Sequence, residues 1–292
     1  HPCSAKRGGG MHWIQPGQAT PEAERRQRGG ISMTGTTPNV DTIICGDCLE
    51  EMKKLPDGCI DMILCDLPYG TTACKWDHVI PFEPLWKEYK RLIKDRGAIV
   101  LTASQPFTSF LVTSNIEMFK YSWIWSKTQG TNFMNSKNAP IKYHEDVLIF
   151  SKGTIANRSP DLMNYFPQDL HPIKKKRKNY DQKDTTIGNR PSRQQDYTQT
   201  IGGYPTTIIH FPNDGEKAHP TQKPVALFEY LIKTYTNEGD LVLDNCIGSG
   251  TTAIACINTN RHFIGIEKEQ KYVDIANKRI KEIPIPLEKF IR

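Results

Sequence analysis

The stretch Cys65-Asp-Leu-Pro-Tyr-Gly70 brings a carboxylate, a proline and an aromatic ring together directly after the apolar run 60–64. Asp66 can accept hydrogen bonds, and Tyr69 offers a ring face on which a planar group can stack. Pro68 biases Leu67 toward extended backbone, which fixes the direction of the Leu67 carbonyl. These residue types at the end of an apolar run indicate a binding or catalytic site.

Three more acidic residues stand where predicted strands end. Asp244 and Glu267 close the runs 240–244 and 262–267, and Asp47 comes just after the run 41–45. In open α/β sheets, ligands bind outside the carboxyl ends of the strands. The four acids together therefore predict one site at that edge.

The segment after Asp244, Asn-Cys-Ile-Gly-Ser-Gly-Thr-Thr, has the composition of a tight turn into a helix. Gly248 and Gly250 would let the backbone approach a ligand closely. Glu267 follows about twenty residues later, the place expected for an acid that accepts hydrogen bonds from ribose hydroxyls. The pattern indicates a nucleoside-containing cofactor, although a plain strand-turn-helix is the alternative. It matches neither the NAD nor the ATP fingerprint.

Apolar periodicity predicts alternating strands and helices around these residues. Strands are expected at 41–47, 59–66 and 98–104, and again at 240–246 and 262–267, with helices between them. Such alternation implies a mostly parallel sheet covered on both faces. The strands 121–127 and 145–152 are expected to form a hairpin at its edge. The predicted class is therefore α/β and Rossmann-like, with a mixed sheet.

The regular pattern is interrupted by a basic segment at 153–216. This insert is rich in Pro, Asn, Gln and Lys, carries the run 174–178, and holds interleaved tyrosines. Basic side chains neutralise phosphates and aromatic rings stack on bases, although a solvated loop is the alternative. We expect halves of one domain at 39–152 and 217–292, and a disordered or vector-derived tail at 1–38.

Composition limits the classes of protein. The 292 residues carry a formal net charge of +6, which permits a nucleic-acid partner without requiring one. No apolar run reaches the ~20 residues of a membrane span. Eight cysteines are scattered, several in apolar runs, which indicates a reducing compartment. Cys45 and Cys48 have metal-ligand spacing without a second pair, so we expect no metal.

Several motifs together resemble S-adenosylmethionine-dependent DNA amino-methyltransferases. DNCIGSGTT is similar to their cofactor motif, DLPYG to their catalytic motif, and HPTQKPVALFEYLI to the cofactor-binding segment ahead of the former. The catalytic motif comes first, as in the permuted beta type. The likeness covers about 41–152 and 217–280. Leu67 replaces the usual first proline, and Asn245-Cys246 replaces the usual Pro-Phe.

The resemblance implies roles for individual residues. The catalytic residues would be Asp66, Leu67, Pro68 and Tyr69. The S-adenosylmethionine site would include Asp47, Lys223, Asp244, Gly248, Ser249, Gly250, Thr251 and Glu267. Lys223, with His219, could contact the cofactor carboxylate or lie on a solvated surface. DNA contacts would come from Lys174, Lys175, Lys176, Arg177 and Lys178.

The family chemistry accounts for the first stretch. The exocyclic amine of adenine or cytosine is a poor nucleophile because its lone pair is delocalised into the ring. The carboxylate of Asp66 and the backbone carbonyl of Leu67 could each accept one N–H and draw the nitrogen toward tetrahedral geometry. Tyr69 would stack on a base taken out of the duplex.

The resemblance implies a site-specific DNA methyltransferase of a restriction-modification type, acting on double-stranded DNA. Adenine N6 is favoured because an acid opens the motif, whereas cytosine-N4 enzymes more often carry serine there. The alternatives are cytosine N4, an RNA or protein-glutamine substrate, and a non-catalytic DNA-binding subunit. A homodimer or partner subunit and a cytoplasmic location in a prokaryote or phage host are further expectations.

Overall fold

The computed structural model describes residues 38–70, 77–177, 196–213 and 222–283. Strands and helices alternate along the first half of this part of the chain, and again from residue 225 onward. The alternation follows the sequence, because runs of Ile, Val and Leu form strands buried on both faces while amphipathic runs form the helices that cover them.

The main sheet has eight strands. In chain order they are β1 (Thr42–Cys45), β2 (Ile60–Asp66), β3 (Ile93–Ala103), β4 (Phe119–Thr131), β5 (Lys142–Phe150), β8 (Ile208–His210), β9 (Leu241–Asp244) and β10 (His262–Glu267). Their order across the sheet is β1-β10-β9-β2-β3-β5-β4-β8. The first five strands of this spatial order are parallel to one another. β5 is antiparallel to both β3 and β4.

Six described α-helices accompany the sheet. They are α1 (Cys48–Met52), α2 (Phe82–Leu92), α3 (Phe107–Ser114), α4 (Val225–Tyr235), α5 (Thr251–Asn258) and α6 (Gln270–Lys281). α1, α2 and α3 contribute to one apolar core, and α4 and α5 contribute to a second core built on other residues of the same strands. The sheet is therefore covered on both faces, and the predicted α/β class is confirmed.

The predicted hairpin is present as β4 and β5, and both strands are longer than expected. Its outer strand is not the edge of the sheet, because β8 pairs parallel with β4 through Ile124 and Ile208. β8 comes from the insert, where the sequence indicated no regular structure. Its three residues are too few to produce a recognisable apolar alternation.

The insert contains a second sheet, in which β6 (His171–Arg177) and β7 (Tyr197–Gly202) pair antiparallel. Both strands are mostly exposed and polar, so they lack the buried face on which strand prediction depends. The start of the insert joins the body through the Phe166 N–H, which donates to the Thr234 carbonyl at 2.7 Å. Among the helices of the described ranges, none combines the length and the apolar character that a membrane span requires.

Candidate functional site

Four acidic side chains lie at the carboxyl edge of four neighbouring strands. Asp66, Asp244 and Glu267 are the last residues of β2, β9 and β10, and Asp47 lies two residues beyond β1. All four line one cavity of about 540 Å³. Because these strands are adjacent and parallel, the fold brings together acids that are up to 220 residues apart in sequence. The predicted convergence at this edge is confirmed.

The Asp66 carboxylate is held by three donors. Its Oδ1 accepts hydrogen bonds from the Tyr69 hydroxyl at 2.8 Å and from the Thr102 hydroxyl. Its Oδ2 accepts from the Lys223 ammonium at 2.7 Å. The side chain is 24% exposed and lines the cavity. A carboxylate has about four lone-pair positions, so one acceptor position remains for a ligand.

The three residues after Asp66 have different surroundings, although all of them line the cavity. Leu67 is 3% exposed and packs in the apolar core, so its side chain serves the fold. The Tyr69 ring stacks on Phe107 with centroids 5.1 Å apart. Burial, followed by the nearby Asp66 charge, raises the pKa of Tyr69 well above its ordinary value, so its hydroxyl remains a donor to Asp66.

Asp244 is buried behind the turn that leads into α5. The Cys246 N–H donates to its Oδ1 at 3.0 Å, and the Thr252 hydroxyl donates to its Oδ2. Burial raises the pKa of Asp244 to about 7. The carboxyl group therefore ties β9 to the first turn of α5 and shapes the cavity floor.

The two glycines of this turn have positive φ angles, 52° at Gly248 and 85° at Gly250. A Cβ on Gly248 would meet no atom closer than 4.0 Å, and Gly248 lines the cavity. A Cβ on Gly250 would lie 2.9 Å from the Cβ of Ala276 in α6. Gly250 is absent from the described residues that line the cavity, so its visible role is helix packing.

Glu267 and Asp47 both accept backbone N–H groups. The Glu267 carboxylate accepts from Gly248 at 3.0 Å and from Glu269 at 2.9 Å. Burial raises the pKa of Glu267. Asp47 is the N-cap of α1, and its Oδ1 accepts from the Leu49 N–H at 3.0 Å. Each acid thus has a structural contact while it faces the cavity.

The remaining turn residues are fixed by neighbouring elements. Arg279 in α6 donates to the Ser249 carbonyl at 2.6 Å, and Ser249 and Thr251 are buried and line the cavity. Asn245, which replaces the usual proline, accepts from the Tyr89 hydroxyl at 2.5 Å. Cys246, which replaces the usual aromatic residue, lines the cavity as Cys48 does. The cavity wall here therefore includes two small cysteine side chains.

Lys223 lies beside Asp66 and Tyr69, shortly before α4. Besides Asp66, its ammonium pairs with Glu145 Oε2 at 3.3 Å and lies 5.6 Å from the centre of the Tyr69 ring. Its role at the cofactor carboxylate remains a prediction. The side chain is 7% exposed, so the solvated-surface alternative is wrong. His219 lies outside the described residues.

Sequence reasoning missed Thr102, Lys127 and Glu145. Thr102 ends the apolar run of β3, and Lys127 and Glu145 lie on the facing strands β4 and β5. Lys127 donates a charged hydrogen bond to Glu145. The one available signal was the acidic pair Glu145-Asp146, directly before the apolar run 147–150 of a predicted strand.

The basic cluster lies on the exposed strand β6. Lys174, Lys175, Lys176 and Arg177 are exposed on this strand. Arg177 Nε donates to Gln199 on β7 at 3.1 Å. Lys178 lies outside the described residues. The cluster does not line the cavity within the described part of the chain, so a large ligand such as a nucleic acid would be needed to contact both.

The cavity fits a nucleoside-containing cofactor on two observations. The Gly248 turn leaves open space where a Cβ would stand, and the Glu267 carboxylate lies at the same wall. A methyl donor bound there would lie in the same cavity as Asp66 and Tyr69. The fold therefore places a candidate cofactor wall and a candidate catalytic motif on one cavity.

Comparison with known proteins finds a match to a family model. The N6/N4 methyltransferase model, described as DNA methylase, matches residues 60–278. The type II methyltransferase M.HpaI of Haemophilus parainfluenzae is 30% identical over 82% of this chain and 73% of its own length. The DNA adenine methyltransferase YhdJ of Escherichia coli strain K12 is 30% identical over 87% of each chain.

Solved structures share the architecture. The M1.HpyAVI–SAM complex superposes with a TM-score of 0.53 at 25% identity, covering 82% of this chain and 98% of the other. The cytosine-N4-specific PvuII DNA methyltransferase superposes with a TM-score of 0.59 at 17% identity, covering 85% and 89%. The second likeness shows the fold alone.

Proposed function

Because the chain belongs to the family of N6/N4 DNA methylases, we propose that it is a site-specific DNA methyltransferase. It moves a methyl group from S-adenosylmethionine to adenine N6 of a base taken out of the duplex. One observation carries the proposal: Asp66, with Tyr69 beside it, faces the same cavity as the Gly248 turn and Glu267. A carboxylate acceptor and a nucleoside site thus share one space.

Asp66 acts as the acceptor for the target amine. Two of its donors, Tyr69 and Thr102, hold Oδ1, and Lys223 holds Oδ2, so the carboxylate cannot turn away. The remaining acceptor position takes one N–H of the amine and raises the electron density on nitrogen. The Leu67 carbonyl takes the second N–H. S-adenosylmethionine supplies the electrophilic methyl group when it is bound.

Tyr69 positions the base. Its ring is fixed by stacking on Phe107 and by its hydroxyl bond to Asp66, so little side-chain freedom is lost when a base arrives. Stacking of a base on an aromatic ring contributes about 1–3 kcal/mol. This contribution offsets part of the cost of unstacking the base from the duplex.

The wall at Gly248 and Glu267 holds the nucleoside part of the cofactor. Glu267 accepts hydrogen bonds from the ribose hydroxyls, and the bare backbone at Gly248 allows close approach. The small side chains of Cys246 and Cys48 leave room beside them. Calorimetry with S-adenosylhomocysteine on Glu267→Gln, with the exposed Glu282→Gln as control, measures this contact.

The exposed residues of β6 bind the DNA backbone. Four adjacent positive side chains on one exposed strand support this role, because phosphate contacts supply most of the non-specific affinity. The tyrosines at 197 and 204, which are more than half exposed, add stacking surfaces near this strand. A map of the methylated positions in DNA would define the sequence that the protein recognises.

Adenine N6 is the proposed acceptor, and cytosine N4 is the second candidate. An aspartate opens the catalytic motif, and the similar protein YhdJ is a DNA adenine methyltransferase. The chain is to be expressed in a bacterial host that lacks DNA methylation, and the DNA digested to nucleosides for mass spectrometry. N6-methyladenine is expected. N4-methylcytosine alone would refute the base assignment, and the absence of both would refute the activity.

The cellular location and the oligomeric state are two further parts of the proposal. We place the protein in the cytoplasm, because the described cysteines are free thiols, several of them in apolar surroundings. We also propose a homodimer, which sedimentation of the purified protein tests directly. A monomer at micromolar concentration, with and without DNA, would contradict it.

A further inference from the structure

Four charged side chains of alternating sign form a row along one wall of the cavity. Asp66 pairs with Lys223 at 2.7 Å, Lys223 pairs with Glu145 at 3.3 Å, and Glu145 pairs with Lys127. The side chain of Asp66 is 24% exposed, that of Glu145 is 14% exposed, and that of each lysine is 7% exposed. Two negative and two positive groups cancel, so the row is neutral as a whole.

The row is assembled from four separate segments. Asp66 ends β2 and Lys223 precedes α4, while Glu145 and Lys127 come from the neighbouring strands β5 and β4. Glu145 lies opposite Trp125 in the hairpin, so Lys127 approaches it diagonally across the strand pair. The hairpin of β4 and β5 therefore supplies the second carboxylate that contacts Lys223.

The charges of Lys223 and Glu145 are maintained by each other. Burial alone would lower the pKa of Lys223, yet the carboxylates of Asp66 and Glu145 raise it above its ordinary value. Burial alone would raise the pKa of Glu145, yet Lys223 and Lys127 hold it below its ordinary value. Removing either partner would leave the other with one opposite charge instead of two, Asp66 beside Lys223 or Lys127 beside Glu145, and a buried charge with fewer partners is less stable.

The contact of Lys223 with Glu145 is longer, at 3.3 Å, than its 2.7 Å hydrogen bond with Asp66. The Glu145 Oε2 atom is buried and accepts no hydrogen bond from the described residues, although the Lys223 ammonium lies 3.3 Å away. The directed bond of Lys223 goes to Asp66, and its ammonium also lies over the Tyr69 ring. Lys223 thus contacts both side chains that act on the target base.

We propose that Glu145 is a positioning residue that acts through Lys223. By sharing the ammonium, Glu145 limits how much of its positive charge falls on Asp66, and Asp66 remains a strong acceptor for the amine. Glu145 also keeps the wall neutral where a positively charged methyl donor must bind. The inference rests on the proposed function.

The test is a double-mutant cycle on the full chain. Single-turnover methyl transfer is measured for Glu145→Gln, Lys223→Met and the double variant, with exposed Glu282→Gln as the matched control. Glu145→Gln is expected to slow transfer about tenfold or more in the wild-type background and less than about threefold in the Lys223→Met background. Equal factors in the two backgrounds would overturn the proposal, and so would wild-type transfer by Glu145→Gln.

A second measurement does not depend on turnover. The ammonium group of Lys223 is observed by ¹⁵N NMR of the protein with S-adenosylhomocysteine, and the signal is assigned by its loss in Lys223→Met. Glu145→Gln is expected to shift this signal and speed its proton exchange, while Glu282→Gln leaves it unchanged. An unmoved signal in Glu145→Gln would overturn the proposal.

The two measurements distinguish failure of the proposed function from failure of the proposed role of Glu145. If the wild type transfers no methyl group, the proposed function fails, and the NMR comparison still decides whether Glu145 positions Lys223. A thermal melt of each variant shows whether it folds. If Glu145→Gln does not fold, Glu145→Asp replaces it in both measurements. Its shorter side chain holds the carboxylate farther from Lys223, so the same directions are expected with smaller size, and equal factors in the two backgrounds or an unmoved signal would overturn the proposal.

Discussion

Replacing Asp66 by asparagine separates the proposed acceptor from the rest of the site. Asparagine keeps the shape, so its oxygen can still accept from Tyr69 and Thr102. Its NH₂ group replaces Oδ2 and faces the Lys223 ammonium, which in the native protein lies 2.7 Å from a carboxylate oxygen. Two donors then oppose each other, and the negative charge that attracts the amine is lost.

The magnitudes follow from these contacts. A hydrogen bond to a charged group contributes about 1.5–3 kcal/mol, and Lys223 keeps Glu145 as a partner, so we expect a loss of about 2 kcal/mol in stability. That corresponds to a fall in Tm of about 4–8 °C for a protein of this size. Methyl transfer should fall about 100- to 10,000-fold, the range for a positioned acid–base group.

The matched control is Asp61→Asn on the same strand. Asp61 pairs with Lys94 at 2.7 Å and accepts the Leu241 N–H at 3.1 Å, at the opposite end of β2 from the cavity. It should lose about 1–2 kcal/mol of stability and transfer within about twofold of wild type. Tritium transfer from labelled cofactor is measured beside a thermal melt. Transfer by Asp66→Asn within tenfold of Asp61→Asn would refute the assignment.

Three further predictions follow from the turn and the insert. Gly250→Ala should destabilise the fold by about 1–3 kcal/mol, because its Cβ would lie 2.9 Å from Ala276. Gly248→Ala should lower the free energy of unfolding by less, and it should weaken the binding of S-adenosylhomocysteine. Equal melting temperatures for the two variants would contradict the predicted difference in stability. Since the pKa of Asp244 is raised to about 7, the folded state binds a proton that the unfolded state releases, so this stability contribution is present below pH 4 and lost as pH rises through 7. Asp244→Asn should remove that slope from denaturation curves, and an unchanged slope would place the proton elsewhere. Changing Lys174, Lys175, Lys176 and Arg177 to Gln should make the slope of log K for DNA binding against log salt concentration shallower, by about 0.9 for each phosphate that the strand no longer neutralises. The control Lys278→Gln, at an exposed position, should leave this slope unchanged. An unchanged slope in the β6 variant would show that the cluster faces solvent and does not contact DNA.

The fold and the position of the site were predictable because their signals are local. Apolar runs of four to eight residues mark the buried strands, and an acid directly after such a run must lie at the carboxyl edge of a parallel sheet. Asp66, Asp244 and Glu267 were located this way. The φ requirement of Gly248 also follows from its turn alone, whereas the packing of Gly250 on Ala276 depends on where α6 lies.

The insert shows where local signals end. β6 and β7 are exposed on most of their residues, and β8 has only three, so neither alternation nor apolar content distinguishes them from loop. Their pairing is decided by partners that the sequence does not place nearby. β8 is recruited by β4 across more than 70 residues of chain.

Tertiary structure alone decided what surrounds Asp66 and Tyr69. Lys223 and Asp66 are 157 residues apart, and Glu145 and Lys127 reach them only because β4 and β5 form a hairpin beside β3. The sequence determined that a carboxylate and an aromatic ring would leave a strand together. It could not determine their partners, because ionic contacts between distant segments depend on distances that only the packed sheet and helices set, and a charge is stable in that interior only where such a partner arrives.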